Sequence, residues 1–193
     1  MDLTQGTPQE KNNRAKKMML WFGMVSLFMS FAGWTSAIII RSREKDWLKE
    51  LQLPDVFWFG LIILLLSSVT LIIGKRALKN GNEKLTTIAL LATLGLGILF
   101  VFLQFEGFSV LIANGYHFTG EISNPKSSFI FLLAFMHILH VFVGLICLLV
   151  VTYNQFKQKY NSTKMLGFEL AATFWHFIDV LWVYLFLFLY FFR

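Results

Sequence analysis

Two histidines three residues apart, His137 and His140, lie in a stretch that is otherwise almost wholly apolar. Further on, Glu169, His176 and Asp179 punctuate a second such stretch, "GFELAATFWHFIDVLWVYLFLFLYFFR". The spacing of three puts both histidines on one face of a helix, with Gly144 one turn beyond. Spacings of seven and three do the same for Glu169, His176 and Asp179. Three kinds of chemistry suit such a set. Paired histidines can ligate a metal, and histidines on facing helices can hold a haem. Acids and histidines inside a membrane can relay protons. The third reading is structural, a polar cluster that fixes helix packing where lipid removes the hydrophobic driving force. Spacing alone leaves all three open.

The elements that must position these residues are long. The chain has 193 residues, 56% of them hydrophobic, and a mean hydropathy of +0.64, well above a soluble domain's composition. Runs with few or no charges cover 18–40, 56–74, 85–113, 127–153 and 165–192. A helix needs roughly 20 residues to cross the hydrocarbon core, and each run supplies about that or more. Lipid offers the backbone no hydrogen-bond partners, so the runs predict helices. The predicted fold class is all-α: a bundle of five transmembrane helices over 18–193, preceded by a polar tail at 1–17. The first run reads as a retained span. It follows the polar tail, exceeds the apolar core of about 7–15 residues typical of a cleaved signal, and ends in "IIIRSREK" without a small-residue cleavage pattern. The single cysteine, Cys147, falls inside the fourth run, which excludes an internal disulfide and suits a small buried hydrophobe.

The net charge of +6 is distributed as an orientation signal. With the N-terminus in the cytoplasm, the tail and the segments 41–55, 75–84, 114–126 and 154–164 alternate sides. Eleven of the 17 Lys and Arg then fall on the inner segments and six on the outer ones, counting Arg193 outside. That pattern matches anionic lipid head groups and argues against nucleic acid as a partner. The third connection, "NGYHFTGEISNP", has the composition of a turn-containing outer loop.

The connection between the fourth and fifth helices is short, so they should run antiparallel as neighbours. Reflecting the sequence about its middle places His140 level with Asp179, and His176 a turn away. An ionised aspartate at mid-membrane costs about 2.5–3.5 kcal/mol, so a partner is expected, and His140 is the candidate. Glu169 lies nearer the cytoplasm, at about head-group level. The expectation is a polar seam between helices four and five made of His137, His140, Glu169, His176 and Asp179. No Cys cluster, Gly-rich phosphate loop or serine nucleophile arrangement accompanies it.

The stretches "FMHILHVFVGLICLL" and "GFELAATFWHFIDVLWVYLFLFLYF" closely resemble subunit III of the haem–copper terminal oxidases. In that family the last two helices carry a histidine pair followed by Val and Gly-Leu, then a Glu, then a Trp-His-Phe-(Val/Ile)-Asp-x-x-Trp motif, here with Trp175 and Trp182. "LGLGILFVFLQFEGF" looks like the family's Gln-x-x-Glu region, with Gln104 and Glu106 one residue closer together. "LLLSSVTLI", with Ser67 and Ser68, resembles the Ser-Ser stretch of the preceding helix. The likeness runs over about residues 18–192 and is strongest from His137 onward. Five helices fits the short bacterial form of the family.

The resemblance implies an accessory subunit of an aerobic respiratory oxidase, cytochrome c oxidase first and a quinol oxidase as the alternative. The haems and copper would reside in partner subunits I and II, and this chain would bind no metal or cofactor of its own. It would pack directly against subunit I, bind phospholipid, and support proton uptake or oxygen access; a larger respiratory supercomplex is a further partner left open. By that analogy the five polar seam residues are structural, lipid-facing or proton-related, and not ligands. Many members carry a glutamate in the helix matching 18–40, which has no acidic residue here, so no role carries over from that position. A haem b membrane cytochrome and a small transporter are the readings from other classes.

Overall fold

A computed structural model describes residues 6–44, 53–120, 124–161 and 165–191. Among these residues five helices make up the architecture: α1 (Pro8–Arg41), α2 (Val56–Lys79), α3 (Glu83–Ala113), α4 (Pro125–Phe156) and α5 (Leu166–Phe191). All five are long and apolar enough to cross a membrane. The protein is an all-α, multi-pass membrane protein.

Most helix ends overrun the apolar runs, because capping residues end a helix while hydropathy marks only the part in lipid. The largest difference is at α1, which begins ten residues before the run at 18–40. Thr7 caps it: Glu10 N–H donates to the Thr7 hydroxyl at 3.3 Å, and Thr7 N–H donates to Glu10 Oε2 at 2.9 Å, with Pro8 at the first helical position. Much of the segment read as a polar tail is therefore helical. At α4, Asn124 and Ser127 form the same reciprocal cap around Pro125.

Three helices stop by one device, the Schellman motif. After α2, Asn82 N–H reaches Ala77 C=O at 2.9 Å and Gly81 N–H reaches Leu78 C=O at 3.1 Å. Gly81 sits at φ 73°, where a side chain would cost about 1–2 kcal/mol. Asn82 then caps α3 by accepting from Leu85 N–H at 3.1 Å, so only Asn80 and Gly81 separate the end of α2 from the next cap. Gly115 plays the same part after α3, and Gln158 (φ 52°) after α4.

Helix α5 is the hub: it packs against α1, α2 and α4. Helix α3 lies between α2 and α4, and among the described residues α1 leans on α4 and α5. The outer surface of the bundle is apolar, as exposed Phe22, Phe59, Phe102, Ile146 and Val180 illustrate. Without a hydrophobic drive between helices in lipid, close packing and polar bonds must hold them. Small residues provide the closeness. A Cβ at Gly97 would come within 2.7 Å of the Trp175 ring, and one at Gly144 within 3.0 Å of it. Gly107 takes the Phe57 ring in the same manner.

Candidate functional site

The residues singled out by chemistry lie on four helices and around the hub. Trp175 is buried, its indole slotted between Gly97 of α3 and Gly144 of α4. Its Nε1–H donates to Ser67 Oγ on α2 at 3.0 Å, while that hydroxyl donates to Leu64 C=O at 2.7 Å. One side chain of α5 thus ties α2, α3 and α4 together. Ser68, the next residue of α2, lies 2.6 Å from His176 Nδ1. Ser68 also faces Asp179, without closing a hydrogen bond to it.

His137 and His140 part company despite their spacing. His137 is fully buried, stacked on Trp182 at 4.8 Å between ring centres and edge-on to Phe100 at 6.0 Å. Neither of its ring nitrogens has a partner among the described residues. His140 is partly exposed; its Nδ1–H donates to Met136 C=O of its own helix at 2.6 Å, and its ring meets Phe31 of α1 edge-on at 5.7 Å. One ring faces α3 and α5, the other α1, so the pair does not converge on one ligand position.

Glu169 turns to α1 as well. It accepts from Lys17 Nζ at 2.9 Å, in a notch that Lys75 and Thr173 complete. Asp179 is 2% exposed, and neither of its carboxyl oxygens has a hydrogen-bond partner among the described residues. Gln104 is fully buried against Gly60 of α2, its amide likewise unpartnered among the described residues, whereas Glu106 is exposed on the outer face of α3. Trp182 is buried, and its Nε1 is also without a partner among the described residues.

The expected seam between α4 and α5 is thus a divergent set, and the expected His140–Asp179 hydrogen bond is not made. The reason is directional. Reflection about a short loop fixes depth, but α5 has three neighbours, and depth does not say which of them a side chain faces. Polar bonds between helices run instead from α5 to α1 and α2, and from α2 to α3. Sequence reasoning named none of these pairings, and in three of them at least one partner had not been singled out: Lys17 with Glu169, Thr35 with Tyr184 at 2.9 Å, and Thr70 with Thr93 at 2.9 Å between α2 and α3. Threonine within an apolar run was the available signal, since such hydroxyls often bond across helices, but it names no partner.

The arrangement does two things chemically. It fixes four helices around Trp175, and it leaves a buried acid, a histidine and an amide on three different helices.

Comparison with known proteins places this geometry in a family. A family model described as cytochrome c oxidase subunit III matches residues 46–193. Cytochrome c oxidase subunit 3 of Loxodonta africana is 37% identical over 131 residues, covering 66% of this chain and 47% of that protein. The protein of the same name from Dugong dugon is 35% identical over 202 residues, covering 96% of this chain and 74% of its own length. That from Pelomedusa subrufa is 36% identical over 193 residues, covering 95% and 71%. The match thus spans about half the length of the Loxodonta relative and about three-quarters of the Dugong one. On the extent of these matches, the chain belongs to the cytochrome c oxidase subunit III family.

Proposed function

We propose that this chain is an accessory subunit of a cytochrome c oxidase, which passes electrons from cytochrome c to dioxygen and couples that to proton translocation. The observation that carries the reading is the family match over residues 46–193, which contains all five polar residues and both motif tryptophans. The relatives' shared name favours cytochrome c over quinol as donor. In this reading the haems and copper belong to partner subunits and the chain carries no redox centre. Its contacts are subunit I directly, subunit II and further subunits, and membrane phospholipid, within a bacterial cytoplasmic membrane. Its work is to steady the catalytic subunit and to support proton uptake or oxygen access. The buried Trp175 tie supports a scaffolding role, because it holds α2, α3, α4 and α5 in one fixed body. The orphaned Asp179, His137 and Gln104 are the residues to which a proton-related role attaches.

Two measurements test this. Affinity purification through a tag on the chain, in mild detergent, brings down oxidase subunits I and II in equal amount with a haem spectrum. Recovery of the chain alone, or with an unrelated transporter, overturns the assignment. The charge bias puts the N-terminus and 75–84 in the cytoplasm and the 116–124 loop outside. A cysteine introduced at Tyr116 or Gly120 reacts with an impermeant maleimide in intact cells, and one at Asn80 does not. The reverse pattern inverts the orientation.

A further inference from the structure

At one end of the α3–α4 pair, next to the Gln158 turn, lies an open depression of about 390 Å³. Its height in the membrane follows from the sequence. Glu83 and Lys84 immediately precede the apolar run that begins at Leu85, and Phe156 follows the one that ends at Tyr153. The depression is therefore at head-group level.

Its walls are a matched set. Glu83 supplies a carboxylate, held by Gln158 Nε2–H at 3.3 Å. Lys84 supplies a cation beside it, at the N-terminal end of the 31-residue helix α3, whose dipole also favours a negative group. Gln155 is the telling member. It is 2% exposed, it lines the depression, and its side-chain carbonyl oxygen has no partner among the described residues. A buried amide oxygen left unbonded is costly, and a donor in the depression satisfies it once the side chain turns its oxygen toward the opening. Below the polar rim, Ile88 and Phe156 are exposed side by side as an apolar floor.

We propose that this depression seats one phospholipid whose head group ends in a primary ammonium, a phosphatidylethanolamine. The ammonium N–H groups donate to Glu83 and to Gln155 Oε1. The phosphate lies toward Lys84 and the N-terminal end of α3, and the acyl chains run over Ile88 and Phe156. A phosphatidylcholine carries the same charges but no N–H to donate, so it cannot satisfy Gln155. The site does not rest on the oxidase reading, since the lipid is counted on whichever complex carries the chain.

Native mass spectrometry of that intact complex, stripped with detergent and re-exposed to equal amounts of the two lipids, is the test. The expected result is one tightly retained phosphatidylethanolamine per copy of the chain, preferred over phosphatidylcholine by roughly tenfold, the worth of about one hydrogen bond to a charged group. Glu83→Gln, at an exposed position, lowers the retained count by one, and Gln155→Met removes the preference. Equal retention of the two lipids by the unaltered complex overturns the proposal, as does a preference unchanged in both variants. The lipid comparison on the unaltered complex needs no variant to fold.

Discussion

Trp175→Ala lowers the stability of the chain by roughly 3–5 kcal/mol, the range for removing a large buried aromatic. The side chain is 1% exposed and fills a slot cut for it by two glycines on different helices. Lipid cannot refill that slot, because four helices close around it. Trp175→Phe separates the two contributions: it keeps most of the packing, loses the Nε1–H bond to Ser67, and costs about 1 kcal/mol for that bond. Approach from the opposite wall gives the same reading. Gly97→Ala brings a methyl to within 2.7 Å of the indole and 2.8 Å of Leu145, and destabilises by about 1–3 kcal/mol through overpacking. Combined with Trp175→Ala, the added methyl enters vacated space, so the double variant loses less than the sum. Reversible unfolding in detergent micelles reads all four values. A loss below about 1 kcal/mol for Trp175→Ala, or strict additivity with Gly97→Ala, would show that the slot does not organise the bundle.

Asp179 behaves in the opposite sense. Asp179→Val raises the stability of the isolated chain by about 1–3 kcal/mol. A buried carboxyl whose two oxygens lack donors has forfeited its hydration without replacement. The variant strands nothing in return, since the Ser68 hydroxyl that faces Asp179 already pairs with His176. His140→Ala adds to Asp179→Val within about 0.5 kcal/mol, because His140 bonds its own helix and meets α1. A destabilised Asp179→Val, or coupling above about 1 kcal/mol with His140→Ala, would restore the direct pair that equal depth suggests. A stabilising substitution at a buried acid is also the signature of a group kept for function, so the same variant in the assembled oxidase should slow turnover.

The helices were legible because lipid imposes one rule on every span: enough consecutive apolar residues to cross. The resemblance found in "WHFIDVLW" also held, since motif spacing is a property of the chain. Direction was not legible. His137 and His140 share a helical face by spacing, yet about 60° of arc on a helix touching three neighbours is enough to aim one at Trp182 and the other at Phe31. The start of α1 was hidden for a different reason. The Thr7–Glu10 box lies eight to eleven residues before the apolar run, where hydropathy carries no signal and only capping chemistry does. Gly97 illustrates a third limit, because a glycine in an apolar run reads as flexible or small until the ring that occupies its missing side chain is known.

The central claim is that the chain serves an oxidase whose redox chemistry lies in other subunits. It is tested most directly by comparing oxidase purified with and without this chain during sustained oxygen consumption. The core lacking the chain should keep its haem spectrum and its initial capacity to reduce oxygen, then lose activity faster over successive turnovers, with re-addition of the chain slowing the decay. Stoichiometric haem in the isolated chain, or a core whose haem spectrum vanishes without it, would contradict that claim.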